Sequence, residues 1–139
     1  MDDVDVLEKD GNVYAKCFRA DCTVEKNVRF ITEDEDPLQV GIFERDTGYE
    51  VEAHRHKSRN LSLPDIGEFL WIQSGSATVD VYDEQWQPLG SWTVGSGDCV
   101  VLLRGGHGLK MLEPTRILEV KQGPYPGRRE DEKTFRASV

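Results

Sequence analysis

The stretch Glu68-Phe69-Leu70-Trp71-Ile72-Gln73-Ser74-Gly75-Ser76-Ala77-Thr78-Val79-Asp80-Val81-Tyr82 decides the fold class. It holds two short apolar-rich runs, 68–73 and 77–82, divided at Gly75. Runs of this length, bounded by turn residues, read as strands. The rhythm continues outward in both directions: 90–94, 99–103, 109–112 and 116–121 follow, and 13–17, 28–32, 38–45, 51–56 and 59–63 precede. Asp46-Thr47-Gly48 and Pro64-Asp65-Ile66-Gly67 separate neighbours. Proline presets one backbone angle of such a turn and glycine tolerates the other. About ten short strands at this spacing indicate an all-β antiparallel sandwich or barrel. A sustained 3.6-residue apolar period is missing, so helix is expected to be minor.

The 139 residues suit one domain, 1–139, with its barrel core over about 38–121. Early strands fall within 13–32, the first dozen residues read as disordered, and the Pro-, Gly- and charge-rich tail 123–139 frays or packs outside. A formal charge of −9 and the lack of a basic cluster argue against nucleic-acid binding, which needs Lys and Arg to displace counterions. No run approaches the roughly 18 apolar residues of a spanning helix. Met1-Asp2-Asp3-Val4-Asp5 lacks the basic start and apolar run of a signal peptide. The expectation is a soluble, cytoplasmic protein that binds neither nucleic acid nor membrane. Cys17, Cys22 and Cys99 lack the paired spacing of a zinc site and read as reduced thiols.

The chemistry concentrates on the three histidines of the chain. His54 and His56 stand one residue apart on an expected strand, where i and i+2 side chains share a face. Two imidazoles so placed can grip one metal ion. By the same parity Glu68 shares the face of Leu70 and Ile72, and His107 follows a hairpin at Arg104-Gly105-Gly106. A barrel joining these strand ends offers three nitrogens and one carboxylate oxygen. That set suits one divalent transition metal per chain, Fe, Mn, Ni, Co or Zn, and in an octahedron leaves two positions for water or substrate.

These residues carry a family resemblance. Gly48, His54, His56, Glu68 and Gly75, in that order, resemble the first cupin motif, and Gly97-Asp98 through His107 resembles the second. The resemblance spans about 38–121 and implies a cupin-type jelly-roll barrel with His54, His56, Glu68 and His107 as metal ligands. Gly105-Gly106-His107-Gly108 and Glu119-Val120-Lys121-Gln122-Gly123-Pro124-Tyr125 are similar to a subgroup of stand-alone cupin-fold metalloproteins, some related to proteins of polysaccharide loci. The sequence departs from the family in the long insert 57–67 between His56 and Glu68, and in Leu103 standing near the usual proline. Without Glu68 the site becomes a three-histidine one, a form some cupins use for dioxygen chemistry.

Around the metal, Arg59 on the insert is either a clamp for a carboxylate or phosphate or a solvated loop residue. The resemblance puts Lys121, Gln122 and Tyr125 near the opening as substrate-binding residues; on their own they read equally as a polar strand end. Val51, Ala53, Phe69 and Trp71 fall opposite the ligand face, an apolar patch expected to form a homodimer unless the segment 13–31 covers it. Two functions follow. One is a metal-dependent enzyme on a small anionic molecule such as a sugar acid, phosphosugar or keto acid, of isomerase, lyase or dioxygenase type. Tyr125, Glu50 or Glu52 would serve it as acid–base partner. The other is a non-catalytic module that senses a metal or metabolite.

Overall fold

The structure, a computed structural model, describes residues 3–125, 127 and 133–137. Ten strands account for all its regular structure: β1 (Val4–Lys9), β2 (Asn12–Phe18), β3 (Val28–Phe30), β4 (Gly41–Phe43), β5 (Glu68–Ser74), β6 (Ser76–Tyr82), β7 (Pro88–Gly95), β8 (Cys99–Leu102), β9 (Gly106–Met111) and β10 (Arg116–Lys121). Every pairing is antiparallel. The described residues contain no helix, and none of them forms a segment long and apolar enough to cross a membrane as a helix.

A five-stranded sheet, in the order β1-β2-β8-β5-β10, forms the middle layer. The order follows from burial: β8 reads Cys-Val-Val-Leu and is buried along its whole length, so it must sit between partners and under cover on both faces. Val100 and Leu102 join Leu70, Ile72, Val79 and Val81 in the larger core, between this sheet and a three-stranded one, β7-β6-β9. Cys99 and Val101 point the other way into a second core with Phe18, Ile31, Leu103 and the half-buried Phe69. The β3–β4 hairpin covers that second face, and Lys16 holds it there by donating from Nζ to the Ile31 carbonyl at 2.7 Å.

Both sheets end in open edges on one side. Leu7 of β1 lies against Gly90 of β7, which brings those two edges together. The opposite edges, β9 and β10, have no further strand beside them among the described residues. Residues 44–67, between β4 and β5, contain no strand, and residues 43–64 are exposed throughout. The strands expected over 51–56 and 59–63 therefore do not form. Their alternating composition is strand-like, but no neighbour supplies the ladder that holds an extended chain as a sheet. The N-terminal expectation is also corrected. Residues 4–9 form β1, whose Lys9 ammonium meets Asp83 Oδ2 at 2.6 Å. The remaining expected strands appear within a few residues of their read positions, and 38–45 shortens to β4.

Motif glycines have separate duties. Gly75 carries φ +89 at the β5–β6 corner, where a Cβ would strike the Pro114 carbonyl and Thr115. Gly48 carries φ +86 with open space around it. Gly48→Ala thus costs only the backbone strain, about 1–2 kcal/mol. Gly75→Ala adds a collision with main chain and should lower the urea midpoint clearly further.

Asp83 is buried at the β6–β7 turn, where Oδ1 accepts from the amides of Gln85 and Gln87, each at 2.9 Å. The Lys9 hydrogen bond first, and these amides with it, hold its carboxyl below the usual carboxylate range. A lowered folded pKa contributes stability above the unfolded value, and that contribution is lost as pH falls through the folded value. Asp83→Asn keeps the shape and removes the charge. Urea midpoints of the two proteins should differ most at neutral pH and draw together at the acid end.

Candidate functional site

Strand parity and register place the inner face of the open side. On β9, His107, Leu109 and Met111 stand opposite Val81, Val79 and Ala77 of β6, all three of which are buried in the larger core. On β10, Ile117 packs against that core, so Glu119 and Lys121 share its face. Lys121 pairs with Glu68 at the start of β5. The head of β5, the head of β9 and the end of β10 therefore meet at one mouth of the sandwich.

Here Glu68 Oε2 lies 3.2 Å from His107 Nε2. Both side chains are partly shielded, His107 at 31% exposure and Glu68 at 16%. The hydrogen bond from His107 is the main force holding the Glu68 carboxyl below its ordinary pKa; partial burial opposes it, and the charges of His107 and Lys121 help. Lys121 Nζ also lies 3.5 Å from Glu119 Oε1. Gln122 continues the cluster by closing the base of the insert: its Oε1 accepts from Gly67 N at 3.2 Å, and its own amide donates to the Gly67 carbonyl.

Four of the eight sequence-derived site residues, Glu68, His107, Lys121 and Gln122, are thus neighbours. The other four lie outside this cluster. His54, His56 and Arg59 sit on the exposed run 43–64, and Tyr125 is exposed beyond β10. His54 and His56 nevertheless form a pair, ring centroids 5.4 Å apart and edge to face. His54 Nδ1 lies 2.8 Å from the Glu52 carbonyl. A carbonyl only accepts, so Nδ1 is the donor in this contact and Nε2 is the ring nitrogen left for another partner.

Within one chain the four expected ligands, His54, His56, Glu68 and His107, do not meet at a single point. They form two pairs, Glu68–His107 and His54–His56, and among the described residues no three His, Cys, Asp or Glu side chains converge. The cysteines take no part. All three are buried, none forms a disulfide, and burial pushes the Cys17 and Cys99 thiols up to about 11.

The motif residues that sequence reading treated as family markers prove to be builders of the mouth. Gly105 carries φ +73, and a Cβ there would collide with the Tyr82 carbonyl and the Tyr14 ring. A Cβ on Gly106 would strike the Trp86 ring, which itself packs edge to face on Tyr82. These contacts set the angle at which β9 presents His107. Asp98 Oδ2 accepts from Gly95 N at 2.8 Å and from Arg19 at 3.0 Å, fixing the turn into β8. Sequence reading missed Glu119, whose carboxylate competes for Lys121; its i, i+2 spacing on the final strand was the available signal.

Compared with known proteins, the chain has no significant match among family models, curated proteins or solved structures.

The Gln122–Gly67 contacts give a local test. Gln122→Ala leaves the Gly67 amide without its side-chain acceptor. Hydrogen exchange followed by NMR should show that amide exchanging faster, while amides of β8 keep their protection.

Proposed function

We propose that the protein is a metal-binding member of the cupin class, with a jelly-roll barrel, and that it acts as an enzyme on a small anionic metabolite. The observation that supports it is the contact of Glu68 with His107 at the mouth between the two sheets, with Lys121 beside it. A carboxylate and an imidazole aimed at one another on neighbouring strands are half of an oxygen–nitrogen donor set. His54, whose Nδ1 is engaged with the Glu52 carbonyl and whose Nε2 is not, and the neighbouring His56 are the other half. Such a set takes Fe, Mn, Ni, Co or Zn, and a bound divalent ion supplies Lewis-acid polarisation of a substrate oxygen.

Lys121 is the group best placed to hold the anionic end of a sugar acid, phosphosugar or keto acid. It is the cross-strand partner of Glu68 between β10 and β5, and Gln122 adds an amide at the same mouth. Proton transfer for isomerase or lyase chemistry would fall to a group outside the metal ligands, Tyr125, Glu50 or Glu52. The second reading, a non-catalytic metal or metabolite sensor, uses the same residues without proton transfer. The outer face of β5 and β10, where Trp71, Leu118 and Val120 are each about two-fifths or more exposed, supports a homodimer. Phe69 on that face is already covered by Phe18 and the N-terminal segment.

Elemental mass spectrometry of the purified protein should find close to one transition metal per chain, and His107→Ala should lose it. Lys121→Ala should retain the metal but lose roughly tenfold or more in anion affinity, in keeping with a lost charge-assisted contact. Protein that takes up none of the five metals on reconstitution would overturn the metal reading. An anion that binds and stabilises but is returned unchanged would favour the sensor.

A further inference from the structure

Near its end the chain comes back to the mouth. Residues 133–137 have no regular structure and are exposed throughout. Two of them are nevertheless placed, each against a different sheet. The guanidinium carbon of Arg136 stands 5.0 Å from the centre of the Tyr82 ring on β6, within the range of cation–π attraction. Lys133 is near enough to Glu68 on β5 for its charge, like that of Lys121, to favour the carboxylate there. β5 and β6 belong to the two sheets that enclose the larger core, and packed sheets stand about 10 Å apart. The three steps of chain from 133 to 136 reach roughly 10 Å when extended. The segment has the length to cross from one layer to the other, with a contact at each end.

The landing place is a built one. Tyr82 pairs with Gly106 across β6–β9, one position from the pairing of Val81 with His107. Val81 lies in the core, so Tyr82 faces outward by parity. Trp86 supports the Tyr82 ring edge to face, with centroids 6.0 Å apart, from a backbone held at φ +63. Bulky side chains rarely adopt that conformation, and it persists only where the surroundings impose it. Here the tight turn imposes it, the Trp86 amide donating to the Asp83 carbonyl at 3.0 Å. Arg136 therefore grips the outer side of the rim, three residues on from an ammonium that serves the opening.

Charge gives the crossing a role. Among the described residues, Glu68 and Glu119 bring two negative charges to the mouth and Lys121 one positive, a net of −1 that disfavours a small anion. Lys133 cancels that charge, and Arg136 at the rim turns it to +1. We propose that residues 133–137 are a basic strap that completes the anion site. Lys133 is its second cation, beside Lys121, for a phosphate or carboxylate group. Arg136 is a positioning residue, which keeps Lys133 in place through Tyr82 without touching the anion. The anion part rests on the reading under Proposed function; the seating of the strap does not, and no metal enters either.

Seating is read from amide NMR spectra of the full chain. Arg136→Ala should move the signals of Tyr82, Trp86, Gly106 and Lys133, and Arg136→Lys, which keeps a cation over the ring, should move them less. Tyr82 and Lys133 signals indifferent to Arg136→Ala overturn the strap. Anion binding is read by titrating inorganic phosphate and following the His107 and Lys121 amides. Lys133→Ala should weaken phosphate roughly tenfold, and Lys133→Arg should retain most of the affinity. Arg136→Ala should also weaken it, with Arg136→Lys in between. If Lys121→Ala weakens phosphate and Lys133→Ala leaves it unchanged, the role of the strap is overturned while the anion reading stands. Wild-type protein whose mouth shows no response to phosphate overturns the anion reading, and the role of Lys133 with it.

Discussion

The double-sided burial of β8 is the constraint on which the rest of the molecule depends. A strand with Cys99 and Val101 on one face and Val100 and Leu102 on the other has no side that tolerates water. Its sheet must be covered twice: by β6, β7 and β9 on one face and by the β3–β4 hairpin on the other. That requirement recruits the N-terminal segment as a structural layer, with Phe18, Ile31 and the Lys16 contact to the Ile31 carbonyl as its fastenings. It also fixes β5 next to β8, and so places Glu68, at the head of β5, at the rim of the larger core.

From that arrangement the mouth follows almost without further choice. The β5–β6 corner at Gly75 turns the chain from one sheet to the other, and β9 then pairs with β6 so that His107 faces back across the gap. The meeting of Glu68 and His107 is therefore a product of topology: two residues 39 positions apart in sequence become neighbours because their strands lie at the same end of facing sheets. Lys121 arrives by a different route, as the cross-strand partner of Glu68 in β10.

Much of this was legible in the sequence, and the illegible part has a physical cause. Strands 77–82 and 99–103 were readable because each is bounded by turn residues and commits to a core, the first on alternate residues and the second along its whole length. Parity correctly put Trp71 on the outside and Leu70 and Ile72 within. The same parity rule expected His54 and His56 on one strand face; they do sit together, but on an arm with no ladder. Local alternation encodes the wish to be a strand, whereas the partner that grants it lies elsewhere, and periodicity carries no information about partners. β1 was missed for the converse reason. Val4, Val6 and Leu7 are sparse among charges, and their pairing with β2 is a property of the hairpin at Asp10 and Gly11. The Glu68–His107 contact was anticipated through ligand chemistry, and the Gly105–Gly106 packing on Tyr82 and Trp86 was not, because nothing in a sequence tells which ring a glycine will touch.

The placement of the thiols gives the molecule two internal reporters. Cys17 belongs to the core between the sheets, and Cys99 to the one beneath the β3–β4 hairpin. Both are kept protonated at neutral pH by burial, so an alkylating reagent can capture either one only after its own layer has lifted. Labelling at Cys99 ahead of Cys17 would mean that the hairpin peels away while the sandwich holds. Equal labelling would mean that the three layers come apart in a single event.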